Sequence, residues 1–419
     1  MSLRARVALA GAVILAAGFT AWAIRSRLRT PQEPLALILD SDGSLDAHVL
    51  LGLRVEVKDH LEALGSWTFM AAPEPQLQTA VPRLELRARR IGSGLALKGR
   101  AVFAQGERAI DVRNDNPTAA LHAALAPLLG PRGADPLDPG DAEAFWEVLP
   151  LLAAPLDRPE PAMREALAAA VALKARQGSA SVALAEAHLR FRLLVANADI
   201  GAEAHGTCDN AFQDALRRMP DYPRLVYLYA NYRTDVGDPK GALEIVFKAL
   251  QSHPRLASLH NSAAYAARTS GLLEGALRAA KRREELRGGV DQTYFLAENT
   301  LLYSGQWEAF EASLLRGQGE DPVQAFYLGY VRILLGKPGA EEAFRKCLKN
   351  PAGLESFRTL CGIYLDALEG RKAQALERLH ALDEERGRVR VPDGEFTFKL
   401  AEAYGFLWED RAAFEVAQR

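Results

Sequence analysis

Apolar and polar residues change rhythm twice along this chain, and the changes divide it. Residues 7–24, VALAGAVILAAGFTAWAI, run for 18 positions without a charge. As a helix rising about 1.5 Å per residue the run reaches about 27 Å, enough for a thin bilayer. Arg4 and Arg6 precede it, Arg25, Arg27 and Arg29 follow, and Trp22 stands at an end where an interfacial ring is favoured. The pattern predicts a transmembrane anchor over 7–24, between a cytoplasmic tail at 1–6 and a linker at 25–34. Cleavage near Ala23 competes with it, because Ala21-Trp22-Ala23 has the small-x-small form of a signal-peptidase site. Three arginines just beyond that site resist export. The arginine counts on the two sides nearly tie, so orientation stays open between a periplasmic and a cytoplasmic bulk.

Residues 35–130 read as a small α/β domain. Residues 35–40 form an apolar run of strand type. Ser44 is placed to cap a helix carrying Leu45, Val49, Leu50, Leu53, Val57, Leu61 and Leu64 at helical spacing, with Gly65 as its stop. Residues 67–72 read as a second strand. Leu84, Leu86 and Ala88 then alternate with Arg83, Glu85, Arg87 and Arg89, and turns at Gly92-Ser93-Gly94 and Gln105-Gly106-Glu107 fold the following strands into an antiparallel meander. Asn116-Pro117 opens a last helix that ends at Gly130. The arginine-rich face with Arg100 reads as the solvated side of a half-buried sheet. Within this domain Asp40-Ser41-Asp42-Gly43-Ser44-Leu45 follows a strand and resembles the first motif of haloacid-dehalogenase-type phosphatases. That resemblance would make Asp40 a nucleophile and Asp42 a general acid. The lysine and later acidic pair such chemistry needs do not follow at parallel strand ends, so the segment is expected to be a polar turn and the protein not an enzyme.

After a turn-rich linker at 131–140, residues 141–419 carry no strand pattern, only helical spacing. Gly237, Gly271 and Gly305 recur 34 residues apart, as do Pro220 and Pro254, and Ala242 and Ala276 each follow their glycine by five. Leu328-Gly329, Gly336, Ala340 and Cys347 fit a fourth copy, Gly370 and Ala375 a fifth, and Ala401, Tyr404 and Ala413 a sixth, expected to end without a polar cap. Upstream, 145–152, 163–176 and 182–196 read as helices of a degenerate entry. The glycine allows a tight turn between two helices, the alanine a close crossing, and the proline a break before the next pair. Arg283 stands in an alanine slot and Gly288 in a proline slot, where the array is expected to splay. This period and slot chemistry resemble the tetratricopeptide repeat. The expected fold is therefore mainly α: a membrane helix, a small α/β domain, then a helical solenoid.

Composition narrows the function. With 51 basic and 53 acidic residues the chain lacks the basic excess of a nucleic-acid binder. Cys208, Cys347 and Cys361 are too few and scattered for a disulfide framework, and the latter two read as buried packing residues. His205-x-x-Cys208 with Asp209 lies in a small-residue stretch read as a loop without a second ligand pair, so no metal or cofactor is expected. Phosphate-loop, dinucleotide, serine-hydrolase and zincin motifs are absent from the sequence.

The segments LALILD, VEVKDHLEAL, SWTFMAAP, RLELRARRIGSGLALKGRAVF and DAEAFWEVLPLL, leading into the repeats, resemble the periplasmic tail of bacterial one-pass adenylate cyclase, kinase or winged-helix regulators. There a TolB-N-terminus-like domain precedes tetratricopeptide repeats. The resemblance covers 35–419 and implies a single-pass inner-membrane protein with its bulk in the periplasm, a binding module in the envelope, here without the cytoplasmic effector. The partner is expected to be a protein or peptide; the alternatives are a phosphatase-like enzyme using Asp40 and Asp42 and a purely structural envelope role. In the 34-residue register the inward side of each first helix falls at fixed offsets before the glycine: Tyr227 and Asn231, then Asn261, Tyr265 and Arg268, then Phe295 and Asn299, then Phe326 and Tyr330. Rings supply area and amides can bond a peptide backbone. Tyr227 fills the slot where chaperone-type repeats place a clamp lysine, so a carboxylate clamp is not expected.

Overall fold

The computed structural model describes residues 34–63, 68–70, 83–103, 106–129, 142–157, 160–176, 179–195, 202–220, 222–287, 299–316, 322–349, 355–388 and 394–418. The expected anchor over 7–24, the linker at 131–140, and Gly65, Gly130, Gly288 and Phe295 lie outside the described residues. Among the described residues no helix is long and apolar enough to cross a membrane.

The first part is β1 (Pro34–Ser41), α1 (Ala47–Ala63), β2 (Thr68–Met70), β3 (Arg83–Ile91), β4 (Gly94–Phe103), β5 (Gly106–Asn114) and α2 (Pro117–Leu129). The five strands form one sheet in the order β2-β1-β3-β4-β5. β1 runs parallel to both neighbours, and β3, β4 and β5 make the antiparallel meander that the alternation implies. Leu84, Leu86 and Ala88 of β3 enter a core shared with Leu53, Val57 and Leu61 of α1 and Leu121, Ala124 and Leu125 of α2. The arginines between them meet carboxylates. Arg83 and Arg100 both reach Glu85 at 2.5 Å, Arg89 lies 3.4 Å from Asp42, and Arg87 lies 3.7 Å from Asp40.

Asp46, not Ser44, caps α1: its Oδ1 accepts the N–H groups of His48 and Val49 at 2.9 Å. The reason is local. Asp42 accepts the N–H of Ser44 at 3.0 Å across a turn in which Gly43 has a φ of 91°, so the chain enters the helix two residues later. Asn116 caps α2, accepting from the N–H of Ala119 at 3.0 Å.

The rest is helical: α3 (Ala142–Asp157), α4 (Glu160–Arg176), α5 (Ala180–Val195), α6 (Ala202–Arg218), α7 (Pro223–Asp235), α8 (Pro239–Ser252), α9 (Ala257–Thr269), α10 (Leu273–Arg287), α11 (Asn299–Tyr303), α12 (Trp307–Arg316), α13 (Pro322–Leu334), α14 (Ala340–Lys349), α15 (Glu355–Leu368), α16 (Lys372–Arg388), α17 (Gly394–Phe406) and α18 (Asp410–Ala417). The pairs α7–α8, α9–α10, α11–α12, α13–α14, α15–α16 and α17–α18 stack as a tetratricopeptide-type solenoid. Each pair turns in the same way. Gly237, Gly271, Gly305, Gly336 and Gly370 all take positive φ, between 62° and 87°. In the first, the N–H of Gly237 bonds the carbonyl of Thr234 and that of Asp238 the carbonyl of Arg233. This is the Schellman arrangement, which satisfies the last carbonyls of a helix. Ala242, Ala276 and Ala375 have no exposed surface, as a close helix crossing requires. Arg283 is also buried, so its alanine slot accommodates an arginine stem.

Two sequence readings change. The segment with His205, Cys208 and Asp209 is not a loop but part of helix α6. Cys347 of α14 and Cys361 of α15 form a disulfide, with a Cα–Cα distance of 6.5 Å. The stacking of one repeat's second helix on the next repeat's first helix brings the two cysteines together; Cys208 stays a buried free thiol.

Candidate functional site: the inner side of the first helices

The shared turn fixes the rotation of each first helix, so the residues ten and six positions before the turn glycine point to one side of the array. The structure splits the expected row in two. At the near end Ser262 donates to Asn231 Oδ1 at 2.8 Å. Tyr227 is half-buried against the apolar clusters on both sides of it, and Asn261, 3% exposed, has neither amide atom bonded. These three do not meet the rest.

The other residues converge with partners that the register did not name. Tyr265 of α9 donates to Asp235, and the Arg268 guanidinium lies 5.2 Å from the Tyr265 ring and 5.6 Å from that of Tyr303. Arg268 Nη2 reaches Glu395 Oε2 of α17 at 2.6 Å, 127 residues along the chain. The other carboxylate oxygen of Glu395 accepts from Asn299 Nδ2 at 2.7 Å, Tyr327 at 2.9 Å and Tyr303 at 3.2 Å. Tyr330 donates to Glu402 of α17, whose second oxygen holds Lys399 Nζ at 2.7 Å. That ammonium sits 4.2 Å from the Tyr330 ring centre, 4.9 Å from Tyr303 and 5.7 Å from Tyr327. Lys399 is 0% exposed. Three tyrosine rings form a cage around it, an arrangement in which ring quadrupoles take the place of water around a cation.

The charges here are held in place by one another. Burial disfavours the charge on Glu395, but Arg268 and Lys399 outweigh it and keep its carboxyl below the usual range. Burial lowers the Lys399 ammonium, with Glu402 and Glu395 opposing. Burial and Glu395 raise the Tyr303 hydroxyl, and burial with Glu402 raises that of Tyr330, so both stay protonated donors.

Phe326, the remaining described residue of the row, has no exposed surface and stacks on Tyr330 in a core with Phe344, Phe357 and Tyr364. An open groove of about 460 Å³ lies elsewhere, between α8, α9 and α10, walled by Leu243, Phe247, Ala263, Ala267 and Leu272. Among the described residues no group of three or more His, Cys, Asp or Glu side chains is arranged to hold a metal ion. Asp40, exposed near the end of β1, and Asp42, exposed in the turn after it, face the arginines of β3.

Tyr303, Tyr327, Glu395, Lys399 and Glu402 escaped the sequence reading. A signal for one of them existed. The turn between α17 and α18 repeats the Schellman bonds, Trp408 N–H to Gly405 and Glu409 N–H to Tyr404, with Trp408 at φ 60° in the glycine slot. Counting back from Trp408 by the same offsets gives Phe398 and Glu402.

No protein-family model matches the chain, and no curated protein matches it. Among solved structures it is similar to human IFIT1, solved as a dimer with m7Gppp-AAAA, at 15% identity and a TM-score of 0.49 over 65% of this chain and 70% of that one. It is similar to a thermophilic tetratricopeptide-repeat protein of Thermus thermophilus at 20% identity and a TM-score of 0.34, over 42% and 97% of the two chains. It is also similar to PilW, a type IV pilus biogenesis factor, at 20% identity and a TM-score of 0.36, over 47% and 92%.

Proposed function

We propose that this chain is an interaction scaffold of the bacterial envelope. Residues 7–24 anchor it in the inner membrane, the bulk lies in the periplasm, and the inner side of the first helices takes a protein partner. The observation that carries this reading is the row of tyrosine, asparagine and arginine side chains that the repeat brings to one side, where they already hold the charged side chains of a helix. A surface that binds Glu and Lys of one helix has the donors and rings to bind those of another. The Cys347–Cys361 disulfide supports the periplasmic placement, since such bonds persist in oxidising compartments. The near-equal numbers of acidic and basic residues support a protein rather than a nucleic acid as partner.

The test has two arms. Reporter fusions after residue 130 should be phosphatase-active and fluorescence-dark; the reverse pattern would place the bulk in the cytoplasm. Affinity purification from detergent-solubilised membranes should recover a partner that is lost when Arg268, Asn299 and Tyr330 are replaced together, with circular dichroism showing the helices intact. Retention of the partner by that folded variant would exclude this surface.

A further inference from the structure

Helix α17 carries two adjacent stripes. Phe396, Leu400, Ala403, Tyr404 and Leu407 enter the apolar core that runs from α11 to α18. Phe396 packs on Phe357 at 5.6 Å, and the Tyr404 hydroxyl meets His380 Nδ1 at 3.0 Å, so this stripe ties α17 to its sequence neighbours. The other stripe, Glu395, Lys399 and Glu402, faces α9, α11 and α13, which belong to repeats far earlier in the chain. In a solenoid each unit is stabilised by its nearest neighbours. A contact between repeats two and six is outside that scheme, and losing it removes no neighbour interface.

The chemistry of the two stripes differs in the same sense. The first is apolar and stabilises in proportion to the area it buries. The second consists of hydrogen bonds, cation–π contacts and ion pairs between buried cations and half-buried carboxylates, whose attraction is largely offset by the cost of taking the charges out of water. Such contacts are specific without being strong. They reject a helix that lacks the right charge, because Arg268 or the tyrosine hydroxyls would then be left unpaired. A second helix carrying the same charges satisfies the same groups.

We propose that α17 is an internal ligand. Its Glu395–Lys399–Glu402 stripe occupies the tyrosine-lined side of α9, α11 and α13, and a partner engages that side by presenting a helix with an acid, a base four residues on and an acid three beyond. The proposal rests on the scaffold reading above and adds to it how the site is kept closed and what opens it.

The probe is a fluorescein-labelled, helix-stapled peptide of residues 394–406, GEFTFKLAEAYGF, titrated into the full chain in detergent. The wild-type chain should bind it weakly. A chain with Glu395→Gln and Lys399→Met keeps the receiving side but loses the stripe, and should bind at least about tenfold tighter. Adding Arg268→Met should return binding to the wild-type level, and a probe with Lys399→Met should bind neither chain. Equal affinity of the wild-type and the opened chain, both with native circular dichroism, would overturn the proposal. If the double variant does not fold, Glu402→Gln alone, which removes one acceptor, should still raise affinity about threefold, and no change there overturns the proposal equally. A membrane partner captured equally well by wild-type and opened chains would sink the internal ligand and leave the scaffold. Peptide binding to the opened chain with no partner captured from membranes would do the opposite.

Discussion

Two of the contacts that join segments far apart in sequence are built on different physics. Helix α1 of the small domain lies on α3 so closely that a Cβ added at Gly52 would stand 2.0 Å from the Leu149 carbonyl oxygen. Phe145, Trp146 and Leu149 of α3 complete the small domain's own core. Beside this apolar seam Arg224 of α7 reaches Asp59 at 2.7 Å and His188 Nδ1 at 3.2 Å. Burial with Arg224 and Arg192 keeps His188 neutral, so its Nδ1 accepts from the guanidinium. Among the described residues the contact of α17 with α9, α11 and α13 shows no such seam of backbone against backbone and rests on side-chain charges and rings. The first contact is fixed by shape and cannot be reproduced by another helix without the same glycine. The second is fixed by a pattern of charges, which a different helix can carry.

The largest effect should come from the shape-fixed contact. Gly52→Leu cannot be absorbed by a side-chain rotation, because the clash is with backbone, so α1 must move off α3. The expected loss is about 3 kcal/mol, at the upper end for overpacking, read as a lowered denaturant midpoint with new protease sensitivity in the small domain. A midpoint within error of the wild type would show that the two helices do not meet this closely.

Arg268→Met should cost less, about 2–3 kcal/mol. It leaves the half-buried Glu395 carboxylate without its guanidinium, yet Asn299, Tyr303 and Tyr327 still donate to it and Lys399 lies beside it. Combining it with Glu395→Gln should recover part of the loss, since the uncompensated charge is gone. A double variant whose loss is the plain sum of the two singles would show that the residues do not interact.

Glu56 gives the domain contact a pH dependence. Its carboxyl is pushed from 4.5 to about 8, by burial first and by Asp59 next, with Arg224 opposing. The folded chain keeps the proton up to about pH 8, while the unfolded chain releases it near the ordinary value. Stability that is full below pH 4.5 is therefore lost as pH rises towards 8, and does not fall further above it. Local undocking can relieve part of this, so Glu56→Gln should remove about 1–2 kcal/mol of the decline between pH 5 and 8. Parallel melting curves of the wild type and variant across that range would assign the decline to other groups.

Much of this architecture was legible because the residues that announce it act locally. Gly237, Gly271 and Gly305 mark positive-φ turns that glycine enters without strain, and the alternation around Leu84 and Leu86 marks a strand with one buried face. What escaped depends on partners distant in sequence. Nothing near Leu37 tells that β1 pairs in parallel with both β2 and β3. Nothing around Cys347 tells that the stacking of α14 on α15 brings Cys361 to it. The offsets put Arg268, Asn299 and Tyr330 in one row, but not the helix that covers them, because slot spacing carries no contact between repeats so far apart; Glu402 is reached by counting back from Trp408, which stands where the earlier turns have glycine.

That tryptophan supplies the smallest of the expected effects. Trp408 is the one non-glycine residue with positive φ among the described residues, at 60°, and it is 83% exposed. A side chain in this conformation costs about 1–2 kcal/mol, because Cβ crowds the following carbonyl. The five equivalent turns avoid that cost with glycine. Trp408→Gly removes the strain and gives up little burial. Against this, glycine adds conformational freedom to the unfolded chain, at about 0.4–1 kcal/mol. The balance should favour the variant by about 0.5 kcal/mol, a small rise in melting temperature. Trp408→Ala separates the causes, since it deletes the ring and keeps the strained backbone, and should give no rise. If Trp408→Gly instead lowers the melting temperature while Trp408→Ala lowers it equally, the ring itself stabilises the end of α17, and the charge-fixed contact has an apolar support.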